Sequence, residues 1–140
     1  MSVALDTNVI IQVVGGEAAV SKRAAELLRE HATRASLVIS PIVYSELFAH
    51  PAWKPEDVLE FLGATAVAVD WDLSQSVWTR AGYAFAQYAR RRRKHDRKTL
   101  PRRLIADFVI GSHALEAGGL LTADVEFFRR TFPDLRVIPA

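Results

Sequence analysis

Five short runs, each mostly apolar along its whole length, recur through the chain at 3–5, 37–39, 66–69, 120–122 and 136–138. Longer segments of helical spacing separate them. A strand that is apolar on both sides can turn neither face to water, whereas a strand with one wet face would alternate. The pattern predicts an α/β fold in which helices cover both faces of a central parallel sheet of four to five strands. In such sheets ligands bind beyond the carboxyl ends of the strands. The 140 residues show no repeat, low-complexity tract or long linker, and they suffice for one domain spanning 1–140.

Local signals bound the helical segments. Residues 7–14 form a helix that stops at Gly15-Gly16, and residues 18–32 form another with Val20, Ala24, Leu27 and Leu28 on one face. Ser40-Pro41 is an N-cap serine followed by a proline at the first helical position, and opens a helix to about His50. After a break at 51–55, Pro55 starts a helix that reaches Leu62 and ends at Gly63. From Asp70 to about Arg93, Leu73, Val77, Ala81, Ala84, Phe85 and Tyr88 recur at helical spacing. Pro101 opens a helix that runs to Ala117 and stops at Gly118-Gly119. Residues 125–130 form the last helix, before a turn at Pro133-Asp134.

Composition narrows the chemistry. The chain has no cysteine, which excludes disulfides, thiolate metal sites and cysteine nucleophiles. Its first residues lack the basic and long apolar regions of a signal peptide. No apolar run approaches the roughly 20 residues that span a bilayer. The expectation is a cytoplasmic protein with no membrane partner. Charge is unevenly spread. Arg90, Arg91, Arg92, Arg93, Lys94, Arg97, Lys98, Arg102 and Arg103 fall within 14 residues, against one acid there, Asp96. The rest carries nine basic and fifteen acidic residues, a net of −6. Such a basic segment either ends a solvated helix or attracts phosphate backbones by counterion release.

Four acids fall where a solvated face explains them poorly. Asp6 follows the first strand and Asp124 the fourth, so both stand at the carboxyl edge of the sheet. Each also precedes a helix, where aspartate is a good N-cap. Asp107 interrupts the apolar stretch Leu104-Ile105-Ala106-Asp107-Phe108-Val109-Ile110. Leu104 and Gly111 share its side of the helix, the side turned toward the protein. A carboxylate there is costly to bury without compensation, and a buried pair with an arginine is the alternative to a site role. Glu46 lies near Val43 and Leu47 in the helix opened by Ser40; taken alone it reads as a surface residue. Clustered carboxylates repel, so they coexist with a cation or with raised pKa values. Oxygen-rich sites without His or Cys suit Mg2+ or Mn2+. Such ions polarise a phosphodiester and activate water.

Four segments carry a family resemblance. They are Leu5-Asp6-Thr7-Asn8-Val9-Ile10, Ser40-Pro41-Ile42-Val43-Tyr44-Ser45-Glu46-Leu47, Leu104 through Ala114 with Asp107 at its centre, and Leu121-Thr122-Ala123-Asp124-Val125-Glu126-Phe127-Phe128. In this order and spacing the chain resembles a PIN domain, and within that family the VapC-type toxins of bacterial toxin–antitoxin pairs. The resemblance implies a three-layer α/β/α fold. It implies Mg2+ or Mn2+ held chiefly by Asp6 and Asp107, with Glu46 and Asp124 completing the site. It suggests that Thr7, Asn8 and Thr122 orient those carboxylates through hydrogen bonds. It further implies endoribonuclease activity, homodimerisation and inhibition by a VapB-like antitoxin, with a higher assembly formed with that antitoxin. The stretch 88–103 is unusually arginine-rich and no family residue carries over to it, so RNA, antitoxin and a second subunit are all open as its target. His113 is read as structural or supporting, not as a general base.

The expected reaction is hydrolysis of RNA phosphodiesters by a metal-activated water, with the 90–103 segment on the substrate backbone. A housekeeping PIN nuclease of RNA processing is the nearest alternative. A signalling receiver would carry adjacent acids after its first strand, but Asp6 is followed by Thr7 and Asn8. An aspartyl phosphatase usually has a second Asp two positions on, where this chain has Asn8. A non-catalytic binding module has less support, since all four acids are present. Tyr44, Leu47, Phe48, Trp53, Leu59 and Phe61 make the helices of 41–62 strongly apolar, with Trp71 and Trp78 further on. They serve either the core or the docking of an antitoxin helix or second subunit.

Overall fold

The central strand of the sheet is β1 (Ser2–Leu5), whose Val3, Ala4 and Leu5 are buried. In the computed structural model, which describes residues 1–15, 17–51, 53–94 and 102–140, β1 pairs with a parallel neighbour on each side. On one side lie β2 (Ser36–Ile39) and then β3 (Ala68–Val69); on the other lie β4 (Leu120–Thr122) and then β5 (Val137–Pro139). All four pairings are parallel, in the order β3-β2-β1-β4-β5. Leu120, Leu121 and Ile39 join β1 in the core, as strands covered on both faces require.

Seven helices are described: α1 (Thr7–Gly15), α2 (Ala18–Ala32), α3 (Pro41–Leu47), α4 (Pro55–Thr65), α5 (Gln75–Lys94), α6 (Ile105–Ala117) and α7 (Val125–Thr131). Right-handed crossovers between parallel strands put α1 to α4 on one face and α5 to α7 on the other. Within these layers α1 packs chiefly on α2, and α5 on α6. The short α3 reaches helices of both layers, α1 and α6. The result is the three-layer α/β/α arrangement that the apolar runs predict. The chain leaves β1 toward β2 but returns to β4 on the opposite side, so the strand order reverses between β1 and β4. That reversal opens a crevice at their carboxyl ends.

Several boundaries differ from the sequence reading, each for a local reason. Helix α4 passes through Gly63 and ends at Ala66, which takes the left-handed conformation (φ 54°). The Thr65 hydroxyl donates to the Phe61 carbonyl at 2.7 Å in that last turn. Helix α5 begins at Gln75, not at Asp70. Asp70 instead prolongs the sheet, its N–H bonding the Ile39 carbonyl at 2.9 Å, and Ser74 takes the cap by accepting from the Val77 N–H. Helix α3 keeps its Ser40 cap, with the Val43 N–H on Ser40 Oγ at 3.3 Å. It closes at Leu47 and continues to His50 as tight turns. Val20 is exposed, while Ala24 and Leu28 carry the buried face of α2. The proposed helix start at Pro101 lies outside the described residues, and α6 begins at Ile105 with exposed Leu104 as its cap position.

Candidate active site

Three consecutive residues after β1 each fasten a different element. Asp6 is buried, and its Oδ2 accepts the Thr122 hydroxyl from the end of β4 at 2.7 Å. Thr7 donates through Oγ1 to Glu46 Oε1 of α3 at 2.6 Å. Asn8 Oδ1 accepts from the Ala123 N–H, at 3.3 Å, in the turn after β4. Thr122 is itself fully buried and its hydroxyl also accepts the Asp124 N–H at 2.9 Å. One hydroxyl thereby links the acid after β1 to the acid after β4. The ladder bond from the Asp6 N–H to the Leu121 carbonyl, 3.0 Å, fixes the two strand ends side by side.

Charge is disfavoured on two acids, Asp6 and Asp107. Burial first, and then the charges of Asp107 and Glu46, push the Asp6 carboxyl up to about 6, although bonds from Thr122 and the Thr7 backbone oppose this. Burial also raises Asp107; Arg103 and a hydrogen bond from the Leu104 backbone pull it down, and Asp124 pushes it up. Asp6 thus senses Asp107 and Glu46, and Asp107 senses Asp124.

The position of Asp107 corrects its sequence rationale. It stands in the first turn of α6, not deep inside a helix. Leu104 points to solvent and does not share a buried side with it. Asp107 is half-buried because α6 starts at the crevice, and the helix N-terminus favours a carboxylate there. Asp124 occupies the cap position of α7, yet its side chain makes no cap bond. It is held by Arg103, whose Nη1 donates to Asp124 Oδ2 at 2.6 Å.

The basic segment divides. Arg90, Arg91, Arg92, Arg93 and Lys94 form the end of α5, with Arg90, Arg91, Arg93 and Lys94 exposed. Arg97 and Lys98 lie outside the described residues. Arg92, Arg93, Arg102 and Arg103, with Phe85 and Tyr88, line a pocket of about 380 Å³. Arg103 is set apart: its guanidinium lies 4.1 Å from the centre of the Phe127 ring and it is engaged with Asp124. Sequence reasoning placed Arg103 with the others on a nucleic-acid backbone. Its partner in the acid crevice is 21 positions away and leaves no local sequence signal. A second unforeseen contact joins buried His113 through Nε2 to Asp70 Oδ2 at 3.1 Å, bracing α6 against the end of β3.

The apolar helices of 41–62 also divide. Trp53 and Phe61 are core residues with ring centres 5.6 Å apart. Phe48, Leu59 and Trp71 are exposed, and Tyr44 packs edge-on between Phe48 and Trp71. Trp78 is exposed on α5.

Among the described residues, no three His, Asp or Glu side chains stand close enough to grip a metal ion as they are placed. The donor chemistry nevertheless fits a hard dication. The oxygens come from carboxylates and hydroxyls, and Asp6 and Asp107 are raised by burial and by neighbouring acids, a cost that a cation relieves. Among the described residues no helix is long and apolar enough to cross a membrane.

Comparison with known proteins agrees with this architecture. The family model for the PIN domain matches residues 3–133. Comparison with curated protein sequences returns no match. Among solved structures, VapBC2 from Rickettsia felis, bound to a DNA fragment from their promoter, aligns with a TM-score of 0.71 at 18% identity, covering 99% of this chain and 98% of that one. VapBC-1 from nontypeable Haemophilus influenzae aligns at 0.65 and 21% identity over 99% and 98% of the two chains. FitAcB from Neisseria gonorrhoeae aligns at 0.58 and 17% identity over 97% and 96%. With the parallel sheet and the strand-end acids in place, the match over 3–133 settles the family: the chain belongs to the PIN domain family, whose members are generally nucleases.

Proposed function

We propose that this protein is a Mg2+- or Mn2+-dependent endoribonuclease and the toxin of a VapBC-type toxin–antitoxin pair. The observation that carries the reading is Asp6: a buried carboxylate at the sheet's switch point, raised to about 6 by burial and by Asp107 and Glu46. Asp6, Asp107, Glu46 and Asp124 would hold the ion, which supplies polarisation of the phosphodiester and an activated water. Thr122 and Thr7 orient Asp6 and Glu46 through their hydroxyls, and Asn8 fixes the turn that carries Asp124. Arg90, Arg91, Arg93, Lys94 and Arg102, with Arg97 and Lys98, supply positive charge for an RNA backbone. The shared fold of the two VapBC neighbours supports an antitoxin partner; homodimerisation is carried over from the family resemblance alone, and exposed Phe48, Trp71 and Leu59 offer apolar surface for either.

Cleavage of a labelled RNA, assayed with Mg2+, with Mn2+ and with chelator, tests the activity. Asp6→Asn and Asp107→Asn each abolish cleavage on this reading, and full activity of Asp6→Asn in Mg2+ overturns it. RNA affinity of the Asp107→Asn protein falls steeply with salt if the arginines contact phosphates. A salt-independent affinity removes them from the substrate path. Co-purification with the product of an adjacent small reading frame, and loss of activity in that complex, tests the toxin assignment.

A further inference from the structure

We infer that Arg103 is an internal cation of the acid crevice, which holds Asp124 while no divalent ion is bound and must release it when one binds. The inference deepens the reading of the four acids as a metal site and rests on it. Three observations point the same way. Arg103 Nη1 bonds Asp124 Oδ2 at 2.6 Å, and its charge also acts on Asp107. The guanidinium is seated on the Phe127 ring at 4.1 Å, and Phe127 is a buried residue of α7, the helix that starts at Asp124. Finally, Arg103 Nε is buried with no hydrogen-bond partner in the structure. A surface arginine would leave none of its donors dry.

A guanidinium in that place has two consequences. It offsets part of the repulsion among the acids, which stabilises the metal-free protein. It also competes with a dication, because an Asp124 oxygen committed to Nη1 is not available as a ligand, and a fixed positive charge beside the site repels a second one. On its other side Arg103 lines the pocket of about 380 Å³ that Arg92, Arg93 and Arg102 also line. The released guanidinium has that basic pocket to turn into, where a phosphate would receive it. Ion binding and anion binding are then coupled through one side chain, and by linkage each strengthens the other.

The test compares wild type, Arg103→Met and Arg103→Lys, with Mn2+ as the probe. Mn2+ affinity is read by water-proton relaxation or calorimetry, and thermal stability is measured in chelator. Arg103→Met keeps an apolar stem on Phe127 but removes the charge. It is expected to melt lower than wild type in chelator and to bind Mn2+ about tenfold tighter or more, the size of one removed positive charge near a dication in a partly wet site. Arg103→Lys keeps the charge and stays within about threefold of wild type in Mn2+ affinity, a small fraction of that effect. Unchanged or weaker Mn2+ binding by a folded Arg103→Met protein overturns the inference while leaving the metal site in place. Absence of Mn2+ binding by all three proteins overturns the metal reading, and the inference with it.

Discussion

Replacing Asp6 with asparagine should stabilise the metal-free protein above pH 6 while ending cleavage. The wild-type carboxyl is raised in the folded state from 3.8 to about 6. The folded protein therefore binds that proton more tightly than the unfolded chain. Its contribution to stability is fully present below the unfolded pKa and is lost as pH rises through the folded one. By pH 8 the ionised carboxylate costs about 3 kcal/mol relative to acid conditions. Asparagine carries no charge at any pH, and its Oδ1 can still accept the Thr122 hydroxyl. Its amide N–H groups face a site rich in acceptors, but imperfect bonds there remove part of the gain, so the net expectation is about 1–3 kcal/mol at pH 8. Urea unfolding in chelator, from pH 4 to pH 8, measures it. The variant's advantage should be near zero at pH 4, grow through pH 5–6 and level off above pH 7. Saturating Mg2+ should then raise the wild type, by about 2.7 kcal/mol at a hundred times its dissociation constant, and leave the variant behind. A variant less stable than wild type at pH 8, or a difference that does not change with pH, refutes the reasoning.

Three other substitutions probe the frame around the site. Thr122→Val removes the hydroxyl that joins Asp6 to the Asp124 N–H; it should cost about 1–3 kcal/mol in urea unfolding and push the Asp6 titration higher in a carboxyl NMR experiment. Gly111→Ala puts a methyl group into the buried Phe132 ring. Overpacking outweighs the gain in helix propensity, for a net loss of about 1–2 kcal/mol in a denaturant melt. His113→Leu loses the bond to Asp70, which is half exposed and rehydrates, so stability should fall by about 1 kcal/mol or less. Cleavage by that variant should stay within a few-fold of wild type, and a collapse of activity in a folded protein would make His113 part of the chemistry.

The sheet was legible because burial on both faces leaves an unbroken apolar signature. Leu37, Ile39, Leu120 and Leu121 can go nowhere else. Helix starts were harder where two residues competed for one cap. Asp70 and Ser74 are both good N-caps, and only the pairing of Asp70 with Ile39 and His113 decides for Ser74. Those partners lie 31 and 43 positions away, so no window of local sequence contains the answer. Arg103 was illegible for the same reason. Inside a run of arginines it looks like one more solvated charge, and its ring and its carboxylate arrive from another helix.

Every acid of the crevice has a structural duty that would explain it singly. Asp6 takes the Thr122 hydroxyl, Glu46 takes the Thr7 hydroxyl, Asp107 sits in the first turn of α6, and Asp124 receives Arg103. What stability does not explain is the charge of Asp6 itself, whose carboxyl is raised to about 6 by burial first and by Asp107 and Glu46 after it, at a cost to the ionised protein. A chain under selection for stability alone would exchange Asp6 for a neutral acceptor of the same shape. On the proposed reading, the carboxylate at the strand-order reversal costs folding energy because its charge serves the metal ion. The same logic ranks the four. Burial raises Asp6 and Asp107, whereas Glu46 is tied to the site by the Thr7 hydroxyl and by its effect on Asp6, so its removal should disturb the fold least.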